Sequence, residues 1–99
     1  MANLSKSKLK IAKELVLQNA RDALSGIPSI CKVEDIKVGY EKDTDEFIVD
    51  MFIIVRFGEK IPALSWDIQN AVKNAINNGL NNVTEINVKK INIHITGVK

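Results

Sequence analysis

The sequence predicts an α+β fold in which two helices pack on one face of a three-stranded mixed sheet, in the order helix-strand-strand-helix-strand. Three observations predict it. Apolar residues recur at three- and four-residue steps in two separate stretches, the spacing that lines one face of a helix. Three further stretches alternate apolar and polar residues, the period of a half-buried strand. The second helical stretch lies between the second and third strands, as the crossover between two parallel strands requires.

The first helix is expected from Ser7 to Leu24, where Leu9, Ala12, Val16, Ala20 and Ala23 fall on one stripe. Ser5 or Ser7 can cap its start, and Ser25-Gly26 followed by Ile27-Pro28 supplies a stop. Alanines on the buried stripe let the helix backbone sit close to the sheet. Lys6, Lys8, Lys10 and Lys13 crowd the helix start, where the helix dipole is already positive, so stability alone would not select them. They are candidate contacts to an acidic partner or an anionic membrane surface.

Ile36, Val38 and Tyr40 alternate with Lys37 and Gly39 as a short strand, with Tyr40 read as a core residue. Glu41, Asp43, Asp45 and Glu46 then form an acidic hairpin loop without the regular ligand spacing and glycine turn of a calcium site. The second strand follows, with Phe47, Val49, Met51, Ile53, Val55 and Phe57 on a continuous apolar face. Its other face reads Ile48, Asp50, Phe52, Ile54 and Arg56, and is mixed. Ile48, Phe52 and Ile54 are therefore candidate interaction residues on a face the helices do not cover, with Lys and Arg stems such as Arg56 available to shield them.

Pro62 suits the first turn of the second helix, where its missing N–H is not needed. This helix is expected from about Pro62 to Asn78, with Leu64, Ile68, Ala71, Val72, Ala75 and Ile76 on one side and a breaker at Gly79 to Asn82. Trp66 projects almost opposite, toward Asn70 and Lys73, and is expected to be exposed and to serve as a binding anchor. The last strand runs from about Lys89 to Thr96, with Ile91, Ile93 and Ile95 inward. Ile86 and Val88 have the opposite parity, which points to a bulge or a separate short stretch near Lys89-Lys90.

The 99 residues suffice for one domain, residues 1–99, and one core. A net charge of +2 is too near neutral for the phosphate-binding surface of a duplex-binding protein. Charge is unevenly placed, with +3 in residues 1–30, −3 in residues 31–60 and +2 in the remainder. The longest apolar run, Met51 to Val55, cannot span a bilayer, and no signal-peptide core is present, so a cytoplasmic location is expected. Cys31, the only cysteine, reads as a small hydrophobe, and the only histidine, His94, as a solvated strand residue. With no second His or Cys and no phosphate-cradling glycine loop, no catalytic residue, cofactor or metal site is expected. Nucleic acid is disfavoured: the element order suits a K homology-like single-stranded binding domain, but its GxxG loop is missing and surface aromatics are few.

Gly58-Glu59-Lys60-Ile61-Pro62, Ile68-Gln69, Val72-Lys73 and the closing Ile91-Asn92-Ile93-His94-Ile95-Thr96-Gly97-Val98 resemble the alkaline shock protein family of Gram-positive bacteria and mollicutes. Ile11-Ala12, Ala20 and Gly26-Ile27 resemble its first helix, so the likeness covers about residues 9 to 98. The chain departs from the pattern in a longer stretch between Val72-Lys73 and Ile91 and in lacking the charged tails of larger members. The resemblance implies a non-enzymatic protein of envelope stress response or cell-envelope homeostasis, self-associating or held by a protein partner at the inner face of the membrane. Some relatives are linked instead to fatty-acid metabolism, and a small acyl-chain-binding protein is a further alternative.

Overall fold

A computed structural model describes residues 6–44, 46–80 and 87–99 of the chain. Helix α1 spans Lys6–Ser25, strand β1 Ile30–Glu41, strand β2 Glu46–Val55, helix α2 Ile61–Leu80 and strand β3 Asn87–Val98. Strand β2 is central, antiparallel to β1 and parallel to β3. Phe47, Val49, Met51, Ile53 and Val55 on one face of β2 are fully buried. Against them pack Ala12, Val16, Ala20 and Leu24 of α1 and Leu64, Ile68, Val72 and Ile76 of α2. Both helices thus cover the face whose alternation is uniformly apolar, and the opposite face carries no layer of secondary structure among the described residues.

Helix α1 ends one residue beyond its last buried side chain. The Gly26 N–H reaches Ala23 O at 3.3 Å and Ile27 N–H reaches Leu24 O at 3.1 Å, a tightening of the final turn. The Ile27–Ser29 link is then held by Arg56, whose backbone N–H donates to Ser29 O at 2.9 Å and whose Nε donates to Pro28 O at 2.6 Å. The first intrahelical bond of α2 runs from Leu64 N–H to Lys60 O at 2.9 Å, so Pro62 lies in the first turn and leaves no bond unmade. The helix continues through the expected breaker at Gly79 to Leu80. Ser5, Asp45, Asn81, Asn82 and Ile86 lie outside the described residues, whereas Ser7 stands inside α1.

Four sequence expectations change. Strand β1 begins six residues before Ile36, because irregularities between Ile30 and Lys32 and between Val33 and Asp35 break the alternation that reveals a strand. Phe57 belongs to no apolar face and is 86% exposed. Strand β2 stops at Val55, and the chain turns at Gly58, whose φ of 91° is accessible to glycine and strained for other residues. Cys31 is an exposed residue at the first β1 irregularity, not a core hydrophobe. Tyr40 packs against the core only partly buried, its ring 5.2 Å from that of Phe47. The bulge expected near Lys89-Lys90 is present: Phe47 pairs with Val88 and Ile48 with Lys90, which leaves Lys89 without a partner in the register.

Candidate functional site: the uncovered sheet face

The face of the sheet turned away from the helices is built from alternate residues of all three strands. The register places Lys37 beside Asp50 and Asp50 beside Asn92, and Phe52 beside His94. The Phe52 and His94 rings stack with centroids 4.5 Å apart and planes 11° from parallel. Lys37 Nζ lies 5.5 Å from the Phe52 centroid, within the range of a cation–π contact. His94 Nε2 lies 3.0 Å from Asp50 Oδ1, and Asn92 Nδ2 donates to the same oxygen at 3.0 Å. Ile48 and Phe52 are half-buried and His94 is exposed. An aromatic pair flanked by a lysine and a hydrogen-bonded carboxylate therefore occupies the middle of the face.

The sequence-predicted residues are distributed as follows. Ile48 and Phe52 lie on this face, but Ile54 is only 8% exposed and is not available to a partner. It sits where β1 and β3 both depart from regular pairing, and a Cβ at Gly97 would lie 3.6 Å from Ile54 Cγ1, so the glycine backbone closes over it. Arg56 does not shield the patch, since its guanidinium is turned to the Pro28 carbonyl; Lys37 and His94 flank Phe52 instead. Trp66 is 65% exposed on α2, away from this face, in a groove that also holds Asn70 and Lys73. Lys6 and Lys8 stand in the first turn of α1. Lys10 is exposed, and with Lys13, Leu9 and Glu14 it lines a shallow hollow, so a carboxylate interrupts the basic patch.

Asp50 is the residue that sequence reasoning did not connect to His94. The two are 44 positions apart, and only the parallel β2–β3 register brings them together. The hydrogen bond from His94 holds the Asp50 carboxyl below its ordinary value of 3.8, the bond from Asn92 acts in the same direction, and the charges of His94 and Lys37 add to it. A carboxyl depressed by folding contributes its stability in full above the ordinary value and loses it as pH falls through the lowered one. The stability difference between the protein and its Asp50→Asn variant should therefore shrink as the pH is lowered from about 5 toward 2. With the Asp50 side chain 34% exposed, solvent screening keeps the whole difference below about 1 kcal/mol. Urea denaturation at a series of pH values measures it; a difference that does not vary with pH would show that the pair contributes nothing.

At the sheet's other end Glu41 accepts from Lys89 Nζ at 2.8 Å and from Thr44 Oγ1 at 3.0 Å, which lowers the Glu41 carboxyl and raises the Lys89 ammonium. The acidic hairpin is thus partly neutralised by β3. Among the described residues no group of three or more His, Cys, Asp or Glu is placed to hold a metal ion.

A family model for the alkaline shock protein 23 family, described as having a cell envelope-related function, matches residues 16–99. The chain belongs to this family. The match spans α1 from Val16 onward, the whole sheet and α2, including every residue of the Phe52–His94–Asp50 cluster. No curated protein sequence matches the chain significantly. Among solved structures, variants of the MamM CTD share the fold. One superposes with a TM-score of 0.56 at 17% identity, covering 85% of this chain and 93% of that one. Another gives 0.54 at 14% identity and covers 92% and 96%. A third, a nickel form, gives 0.56 at 17% identity, covering 85% and 96%. At these identities the likeness is one of fold.

Proposed function

We propose that this member of the alkaline shock protein 23 family is a non-enzymatic scaffold of the cell envelope that associates with a second copy of itself through the uncovered sheet face. The observation that carries this reading is Phe52, a large aromatic residue held at the centre of a face that no helix covers among the described residues. The face carries both signs of charge, with Lys37 and Lys90 against Asp35 and Asp50. A two-fold arrangement can set the basic residues of one copy against the acidic residues of the other, as a self-complementary interface requires. The non-enzymatic reading rests on the surroundings of His94. Its hydrogen-bond partner is Asp50, and no hydroxyl or thiol among the described residues is bonded to it as a nucleophile.

Among the described residues no helix is long and apolar enough to cross a membrane. In this reading a membrane-bound protein partner places the chain at the inner face of the membrane, assisted by the lysines of α1 through reversible, salt-sensitive attraction. Phe52→Ser removes the aromatic centre of the face without touching the core, and should lower the sedimentation coefficient at high protein concentration while leaving the far-ultraviolet circular dichroism unchanged. Sedimentation identical to that of the unsubstituted protein would overturn association through this face.

A further inference from the structure

Among the described residues strand β3 pairs on one side only, with β2. A strand at a sheet edge presents unpaired main-chain donors and acceptors, which proteins cover or blunt when nothing is meant to bind there. Here the edge opens into a groove of about 360 Å³ between α2 and β3. Trp66, Gln69 and Lys73 come to it from α2, and Val88 to Asn92 from β3. Gln69 Nε2 donates to Ile91 O at 3.0 Å, which marks that carbonyl as one turned away from β2 and into the groove. The rest of the wall is basic. Lys73, Lys89 and Lys90 line it with no carboxylate among the described lining residues. Only Lys89 has an ion-pair partner among the described residues, Glu41.

We propose that this groove binds an acidic segment of a partner protein in extended conformation, which adds a strand to the free edge of β3. Three physical arguments select that occupant. An edge strand offers N–H donors as well as C=O acceptors, here with the Ile91 carbonyl already held by Gln69, and these match the main chain of a peptide; a phosphodiester backbone brings acceptors only. The three lysines attract carboxylate side chains, and the indole of Trp66 gives an apolar side chain of the segment a flat surface to cover. A second copy pairing edge to edge would bring Lys89 and Lys90 of both chains together, and that like-charge contact disfavours self-pairing at β3. The inference is independent of association through the Phe52 face, because Trp66, Gln69 and Lys73 lie on α2 on the other side of the sheet.

The test uses the full chain and an acetylated, amidated hexapeptide of alternating glutamate and valine. Titration should shift the emission of Trp66, the only tryptophan, to the blue, and binding should weaken as salt rises. Lys73→Gln combined with Lys89→Gln should weaken the peptide by about tenfold or more, while Phe52→Ser should bind it unchanged. The same peptide methylated on alternate backbone nitrogens cannot pair with the edge and should not bind. Circular dichroism of the lysine variant establishes that it is folded, and Trp66→Phe, read by calorimetry, provides a second variant with nearly conserved volume and reduced affinity. Absence of binding by the glutamate peptide overturns the proposal, as does equal binding of the methylated peptide. Tighter binding of a single-stranded oligothymidine than of the peptide would assign the groove to nucleic acid. Loss of self-association in the lysine variant would assign it to a second copy. Either result also overturns the proposal.

Discussion

Met51→Asp should leave the chain unfolded at room temperature, whereas Phe52→Ser, one residue further on, should leave it folded. Met51 is fully buried at the centre of β2 and pairs with Ile36 on one side and Ile93 on the other. An ionised carboxylate there has no described cation in the core to pair with, and the penalty for burying an unpaired charge is several kcal/mol after relaxation. Domains of this size have only about 5 to 15 kcal/mol of net stability. Phe52 points to the opposite face, where water reaches the side chain. Its replacement forfeits the His94 stack and the Lys37 contact, together on the order of 1 to 2 kcal/mol. Circular dichroism and the cooperativity of urea unfolding separate the outcomes. A cooperatively folded Met51→Asp protein would mean that the helices do not seal this face, and the distinction between core face and binding face would fail with it.

The same alternation that makes this contrast expected is what made most of the fold legible. Strand β2 declares its two faces because it is regular and fully covered on one of them, and α1 and α2 declare theirs through Ala12, Val16, Ala20, Leu64, Ile68, Val72 and Ile76. Legibility fails where the backbone is irregular. Residues 30–35 are strand, yet the two departures from regular pairing put consecutive side chains out of phase, so no period of two survives in the sequence. At the end of β2 the error has the opposite sign: Phe57 continues the alternation, but the chain has already left the sheet toward Gly58.

The functional surface divides in the same way. The exposure of Trp66 follows from helical geometry alone, since the residue lies opposite the stripe that must be buried. That it shares a groove with β3 does not follow, because the groove depends on how α2 lies across the sheet edge. Asp50 and His94 were each visible as outward-facing residues, but their meeting depends on the parallel register after the bulge at Lys89. A shift of one residue at that bulge would send His94 to the other face. Ile54 shows the converse, an outward parity cancelled by local closure of the flanking strands and by Gly97.

Phe47→Ala should cost about 3 to 5 kcal/mol, the usual range for truncating a fully buried phenylalanine. Phe47 has no exposed surface, pairs with Tyr40 on one side and Val88 on the other, and stands where the β1–β2 hairpin meets the core. The tilted Tyr40–Phe47 ring pair, with planes 51° apart, is worth roughly 0.5 to 1.5 kcal/mol beyond burial. A double-mutant cycle with Tyr40→Leu should return a coupling of that size. For a chain of this length each kcal/mol shifts the melting temperature by about 4 to 8 °C, so Phe47→Ala should melt more than about 10 °C lower. The consequence extends to the edge of β3. Glu41 closes the hairpin next to Tyr40 and holds Lys89 at 2.8 Å, so loosening the ring pair frees Lys89 from its carboxylate and leaves a third lysine unpaired in the groove. Phe47→Ala should therefore bind the glutamate peptide more tightly at low salt while being less stable. Tighter peptide binding in a variant that is less stable separates a local electrostatic effect from a general loss of structure, because partial unfolding of the sheet would weaken binding instead.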